Sequence, residues 1–388
     1  MNDKKRELLR VACFVAAVKV YTLGLLVFFA ITTPMRGDVD GFVMRVPGEA
    51  RSERLREIRR DVFERLAPFD GQYYLDIAAH GYREFSDRDR TGDVGPPGNY
   101  AFFPLLPALL NVLSWLPWSE TKSFVVLNLA FSVAAHVALW AIARDLGISG
   151  VSTLALLLSY PSAVFQSVLY PESLFLLLSV LCYRGVRRGR MDAFAACGLL
   201  GGACRPQGVL IGAMQVPAIV RLVRERRLAL RDIAPIIAPI IAPALGLAVV
   251  GAILWTAIDN PFGFLEIQKN WGRSYAPSSW WAGLVATAAY AGPPMDWLGL
   301  VLGVGLLPSM WRRLPPGLAL YGTASVALPL ASGSILSMGR FLSVSFPHFL
   351  GLAALLGPRP KAAAVVVVAF AGAQNLLARG LITWHFVG

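Results

Sequence analysis

Residues 11–31 read VACFVAAVKVYTLGLLVFFAI, a run long enough to cross a hydrocarbon core of about 30 Å as one helix. It follows the basic start MNDKKRELLR, and no A-x-A cleavage pattern succeeds it. It reads as an uncleaved first membrane helix with its N-terminus in the cytoplasm. Working outward, further apolar blocks fall near 101–117, 123–143, 150–168, 171–186, 192–220, 233–257, 284–308, 317–335, 341–357 and 362–382. The 388 residues are 56% hydrophobic and 15% charged, against about 25% charged in an ordinary soluble domain. Disordered and soluble classes are excluded. The expectation is an all-α, polytopic integral membrane protein, one domain over residues 1–388, with 10–12 transmembrane helices. It would sit in the cell (plasma or inner) membrane.

The charge is unevenly placed. Residues 36–93 hold 13 of the 24 acids and 11 of the 36 basic residues, a net of −2, so the remainder carries +14 of the total +12. That excess sits in short loops at 184–190, 221–231, 312–313 and 359–361, the pattern of cytoplasmic loops. It is not a nucleic-acid surface, because no basic, aromatic-interleaved soluble face exists to bind one. Counting every block as one crossing would put 184–190 outside. Two repairs restore parity. The block 101–117, with Pro104, Pro107 and Pro117, dips in without crossing, and 192–220 breaks at Arg205-Pro206 into a hairpin. Interrupted backbone at that depth belongs inside protein or beside a wet cavity. The C-terminus then lies outside, as does the first loop, about 34–100. Cys13, Cys182, Cys197 and Cys204 lie in or beside apolar segments without a CxxC, so buried thiols are expected.

The first loop is expected to be structured. In 53–66, Leu55, Ile58, Val62, Phe63 and Leu66 recur three and four apart, as in an amphipathic helix. Next comes FDGQYYLDIAAHGY, residues 69–82, and then NYAFFPLLP, residues 99–107. Asp70 is placed as an N-cap and Gly81 as a stop. Gln72, Asp76 and His80 share one helix face, and Tyr73 shares another with Ile77. Asp70 is open to two readings, a helix cap or a general base facing a cavity. In 159–175, SYPSAVFQSVLYPESLF, Glu172 opens a helix behind Pro171, suited to the dipole or to a substrate. Arg205 in ACRPQG (203–208) is a charge inside an apolar block. Its natural partner is a phosphate, a carboxylate or a local acid. Arg340 in SMGRF (337–341) is an interfacial anchor or a second phosphate contact. The D-x-D triplets 38–40 and 87–89 arise easily in so acidic a loop, and no metal site is assigned. His136 reads as a core histidine.

Taken together, Phe69-Asp70-Gly71-Gln72-Tyr73-Tyr74, His80-Gly81-Tyr82, Ala101-Phe102-Phe103-Pro104-Leu105, Tyr170-Pro171-Glu172-Ser173-Leu174-Phe175, Arg205-Pro206-Gln207-Gly208 and Gly339-Arg340-Phe341 with Phe346-Pro347 resemble a known pattern. It is that of the bacterial relatives of the phosphatidylinositol-glycan class V mannosyltransferases, which are GT-C glycosyltransferases. The motifs keep the family's order over about residues 60–350. The family usually has Trp at Phe69, Ser at Pro171 and Tyr at Leu106. The resemblance implies a GT-C-like bundle and an active site in the first outer loop. It also implies a polyprenyl-phosphate sugar donor. On this reading Asp70 is the catalytic base. Arg205 and Arg340 bind the donor phosphate, and Gln72, Tyr73, Asp76, His80, Glu172 and Gln207 contact substrates. The acceptor is a glycan, lipid or protein hydroxyl. One phosphate held by arginines needs no metal and no cofactor. The competing expectations are a flippase or transporter of lipid-linked sugars, for which no internal repeat is found, and an envelope scaffold, which leaves the buried charges unexplained.

Overall fold

The computed structural model describes residues 3–35, 51–85, 97–225, 229–274, 281, 285, 294–385 and 387. Among these residues the structure is all-helical. The only β pairing is a single bridge between Glu84 and Gly98. Five helices are long and apolar enough to cross a membrane: Lys5–Thr32, Glu120–Asp145, Pro206–Arg224, Ile237–Ile258 and Pro360–Ile382. A sixth span arises if Pro161–Ser167 and Glu172–Arg188, bent by 99° at their junction, count as one. Gly150–Ser159, Met191–Cys204, Pro316–Ala331 and Phe346–Leu356 are apolar but shorter. Against the 10–12 membrane helices expected, the described residues thus give five by length and composition, or six with the bent pair.

The breaks have local causes. Arg205 is extended (φ −155°, ψ 152°) ahead of Pro206, because the residue before proline is driven out of the helical region. Met191–Cys204 ends there, and a 3-10 segment, Pro206–Gln215, folds back beside it. The two legs touch through glycine: a Cβ on Gly208 would lie 2.0 Å from the Gly201 carbonyl oxygen. Leu230–Ile258 packs as closely on the outer flank, where a Cβ on Gly202 would lie 2.0 Å from Pro243 O. Small residues allow such backbone approach between apolar helices. The 101–117 block yields only Leu105–Leu113, nine residues and about 14 Å, less than half a hydrocarbon core.

Helix directions sort the molecule into two ends. The first helix ends near the loop, where Arg65 Nη1 donates to Ala30 O. At its start Glu7 pairs with Arg144, in the last turn of Glu120–Asp145. Glu172–Arg188 starts below a cavity and ends in Arg187 and Arg188. Val216–Arg224 ends in Arg221 and Arg224, and Leu307–Arg313 ends in Arg312 and Arg313. Pro360–Ile382 returns from Arg359 to place Leu381 on the cavity wall. The basic clusters thus lie at the end away from the cavity, and the first loop and the C-terminal segment lie at the cavity end.

The loop packs onto the bundle. The expected helix over 53–66 is instead Arg51–Arg60 followed by a 3-10 turn, Glu64–Leu66. Asp61 explains the interruption. Its Oδ1 accepts the Phe63 N–H at 2.8 Å and its Oδ2 meets Lys122 Nζ at 2.5 Å, which turns the chain out of the helix. Ile58 and Leu66 are fully buried, Ile58 against Trp384, whereas Phe63 stays exposed. Glu64 is buried and accepts the hydroxyls of Ser119 (2.7 Å) and Thr121 (3.1 Å). His136 is buried with Nδ1 2.7 Å from Ser132 O.

Candidate active site

A cavity of about 150 Å³ opens at the loop end. Its walls come from seven separate stretches of chain, and its charged lining residues are Asp70, Arg205, Arg273 and Arg340. Aromatic rings, among them Phe102, Tyr170, Trp271 and Phe341, make up much of the rest.

Asp70 is the first residue of helix Asp70–His80, and it does not cap that helix. The expected N-cap role is thereby corrected. Phe69 occupies the cap position with φ 46°, a conformation rarely taken by a bulky residue. Such strain persists only where neighbours impose it. Here Tyr170 does so. Its hydroxyl donates to Pro68 O at 3.2 Å and accepts the Asp70 N–H at 3.3 Å. Phe69 also leans on Trp384, with ring centroids 5.9 Å apart. The Asp70 carboxylate is directed across the cavity mouth, where its Oδ2 accepts from Arg340 Nη1. Gly81 ends the helix with φ 73°, its N–H bonded to Ile77 O, as expected.

Arg340 holds two carboxylates. Its Nε donates to Glu172 Oε1 while Nη1 serves Asp70. Its guanidinium lies 4.4 Å from the Tyr170 ring centroid and 5.5 Å from that of Phe165. Glu172 is the first residue of its helix and is completely buried. Arg205 Nη1 lies 2.6 Å from the same Glu172 oxygen, close but out of line for a hydrogen bond. Arg205 Nε points to Gln207 Oε1 at 3.4 Å. The four groups form a chain, Asp70–Arg340–Glu172–Arg205, drawn from four of the sequence motifs. Burying such charges is tolerable only when they are paired. The two acids differ in access. The Asp70 side chain is 27% exposed and that of Glu172 is 0% exposed.

The remaining proposed contacts divide. Gln207 lines the cavity and Glu172 lies directly beneath it, whereas Gln72, Tyr73, Asp76 and His80 do not line it. The Gln72 amide donates to Ala67 O at 2.7 Å. Tyr73 stacks on Phe102 at 4.5 Å. Burial raises the Tyr73 phenol pKa, and the nearby carboxylates of Asp70 and Asp76 raise it further, so the phenol stays neutral. Asp76 accepts from Asn99 Nδ2 (2.7 Å) and Arg83 Nη2 (2.8 Å), and its Oδ1 lies 3.2 Å from His80 Nδ1. That cluster closes the base of the first loop.

Two further residues shape the site without having been singled out in the sequence. Asp296 is buried and accepts the backbone N–H groups of Ser337 (3.0 Å) and Gly339 (3.3 Å), which fixes the turn carrying Arg340. Gly339 is required there, since a Cβ would lie 2.5 Å from Met295 O. Gln166 ties the floor together. Its side chain accepts from Lys19 Nζ at 3.1 Å and donates to Ser343 O at 3.0 Å. The D-x-D triplets 38–40 and 87–89 lie outside the described residues. Among the described residues no group of His, Cys, Asp and Glu is arranged to hold a metal ion. No protein-family model matches the chain, and no curated protein matches it either.

Proposed function

We propose that the chain is a membrane-embedded glycosyltransferase that moves a sugar, mannose by the resemblance, from a polyprenyl phosphate to an acceptor hydroxyl. One observation carries this reading. Four charged residues from separate motifs meet at one cavity, and only one of the two acids is open to it. In the proposed step the acceptor hydroxyl lies against Asp70. Asp70 takes its proton as the oxygen attacks the anomeric carbon. The bond from that carbon to the phosphate oxygen breaks, and the phosphate leaves with the electron pair and with inverted configuration at the sugar. Cavity arginines offset the charge developing on the phosphate. Glu172 cannot share the base role, because no solvent-sized path reaches a fully buried carboxylate clamped by two arginines. It sets the positions of Arg205 and Arg340 instead.

The two-ended charge distribution supports an outward-facing cavity, because basic loops favour the cytoplasmic side. The aromatic walls suit a sugar ring, and the gaps between helices suit a prenyl chain. The test is transfer by the purified protein in bilayers, using a polyprenyl-phosphate sugar and an acceptor with a free hydroxyl. The expected result is an inverted glycoside, formed equally well in EDTA. Movement of the intact lipid-linked sugar between leaflets without glycoside formation would favour a transporter and sink the reading.

A further inference from the structure

Tyr74 and Tyr170 both line the cavity, and their hydroxyls are used differently. That of Tyr170 is spent on the backbone, donating to Pro68 O and accepting the Asp70 N–H. That of Tyr74 has no hydrogen-bond partner among the described residues. Tyr74 stands four residues after Asp70 on helix Asp70–His80, one turn along the same face. Its ring lies edge-on to Phe102, with centroids 5.3 Å apart and planes at 72°, and belongs to the apolar cluster of Ile77, Leu106 and Leu169. The residue is 4% exposed, yet its oxygen is not sealed from solvent, and the cavity is the space it meets. Burial holds the phenol pKa well above its ordinary value, against the opposing pull of Arg340 and Arg205 and with help from Asp70 and Glu172. The proton therefore stays on, and the group is a hydrogen-bond donor at neutral pH.

We propose that the Tyr74 hydroxyl donates a hydrogen bond to a phosphate oxygen of the lipid-linked donor and keeps that bond as the phosphate leaves. This rests on the glycosyltransferase reading. Three features lead to it. The hydroxyl is an almost buried donor left without a partner in the protein, and such a group calls for one from a ligand. It lies one helical turn from Asp70, at the reacting centre. Both arginines of the charge chain act on it, so the oxygen best suited to the space beside it is an anionic one. Arg205 and Arg340 are already engaged with Glu172 and Asp70, whereas Tyr74 gives up no protein partner to bind. A neutral O–H on an ionised oxygen makes a charge-assisted bond, which strengthens as charge grows on the leaving phosphate. No proton passes to the phosphate: the phenol keeps its hydrogen, and Asp70 alone takes the proton of the acceptor.

The experiment compares wild type with Tyr74→Phe and Tyr170→Phe, each as full-length protein in nanodiscs. Binding of a short-chain prenyl monophosphate and of the matching prenyl alcohol is measured, with thermal stability and the KM and kcat of transfer alongside. Tyr74→Phe removes one oxygen and keeps the ring on Phe102. It is expected to weaken monophosphate binding by about tenfold and to lower kcat by about ten- to a hundredfold. Alcohol binding should not move, and the melting temperature should not fall, because no bond within the protein is lost. Tyr170→Phe is expected to keep monophosphate binding within about threefold of wild type. Monophosphate binding within about twofold of wild type in Tyr74→Phe would overturn the proposal, and a raised KM for the acceptor in the same variant would give the hydroxyl to the acceptor instead. Equal weakening of alcohol and monophosphate, or a lowered melting temperature, would make Tyr74 a packing residue and overturn it too. In each of these cases the glycosyltransferase reading stands as long as the wild-type protein forms glycoside. A wild-type protein that binds monophosphate no better than alcohol has no phosphate site, and the reading falls with the proposal.

Discussion

Asp70 and Asp76 sit six positions apart on one short helix, and each meets an arginine, yet they do different things. The arginine of Asp76 is Arg83, seven residues along the chain, and its other partners, His80 and Asn99, also belong to the first loop. Its side chain is 1% exposed. The arginine of Asp70 is Arg340, 270 residues away, and the Asp70 side chain keeps 27% exposure. A carboxylate satisfied by its own loop closes that loop. One satisfied only by a distant helix ties two parts of the bundle together and leaves part of itself facing the space between them. Shared chemistry on one helix therefore does not mean shared purpose, and access separates the two.

Three substitutions sharpen that contrast. The largest loss of stability is expected from Glu172→Gln, which leaves two buried arginines short of a counter-charge. Breaking a buried pair from one side typically costs about 3–5 kcal/mol, so thermal unfolding should fall markedly and transfer should be lost with it. A near-wild-type melting temperature would mean the charge chain is not what holds the cavity. Asp76→Asn is next. It retains the shape but weakens charge-assisted bonds to Arg83 and Asn99, for a loss of about 1–3 kcal/mol. Activity per folded molecule should stay close to wild type, and a large kcat defect with intact folding would return Asp76 to the active site. The smallest effect on stability is expected from Tyr170→Phe, about 1 kcal/mol for the hydroxyl that clamps Pro68 and Asp70. Release of the turn at Phe69 should lower kcat more than donor affinity. Unchanged kcat would show that the strained turn holds itself.

Much of this was legible in the chain. The break at Arg205-Pro206 follows from proline sterics, and the shortness of helix Leu105–Leu113 agrees with Pro104, Pro107 and Pro117 in one block. Gly81 could be read as a stop because a helix there has nothing else to end it. What escaped had no local signature. Asp296 lies inside an apolar block and acts on backbone N–H groups more than 40 residues later. Arg273 stands in a polar loop where one arginine looks like any other, and only the fold shows it sharing Phe341 with Arg205. Helical spacing grouped Gln72, Asp76 and His80 on one face, and that grouping is real. Spacing cannot say what covers a face, and here residues 83 and 99 cover it. The cap expected of Asp70 failed for a tertiary reason: Arg340 competes for the carboxylate, and Tyr170 holds the preceding turn in a geometry where Phe69 takes the cap position.

The measurement that tests the central claim most directly is transfer by Asp70→Asn, normalised to folded protein and set beside Asp76→Asn. Asparagine keeps the size of the side chain and can still accept a hydrogen bond from Arg340, but it cannot take a proton at neutral pH. If Asp70 is the base, transfer from a polyprenyl-phosphate sugar falls by about 10²–10⁴, prenyl monophosphate binding persists, and Asp76→Asn stays near wild type. Near-wild-type transfer by Asp70→Asn would contradict the account and leave Asp70 as one more strut of the bundle.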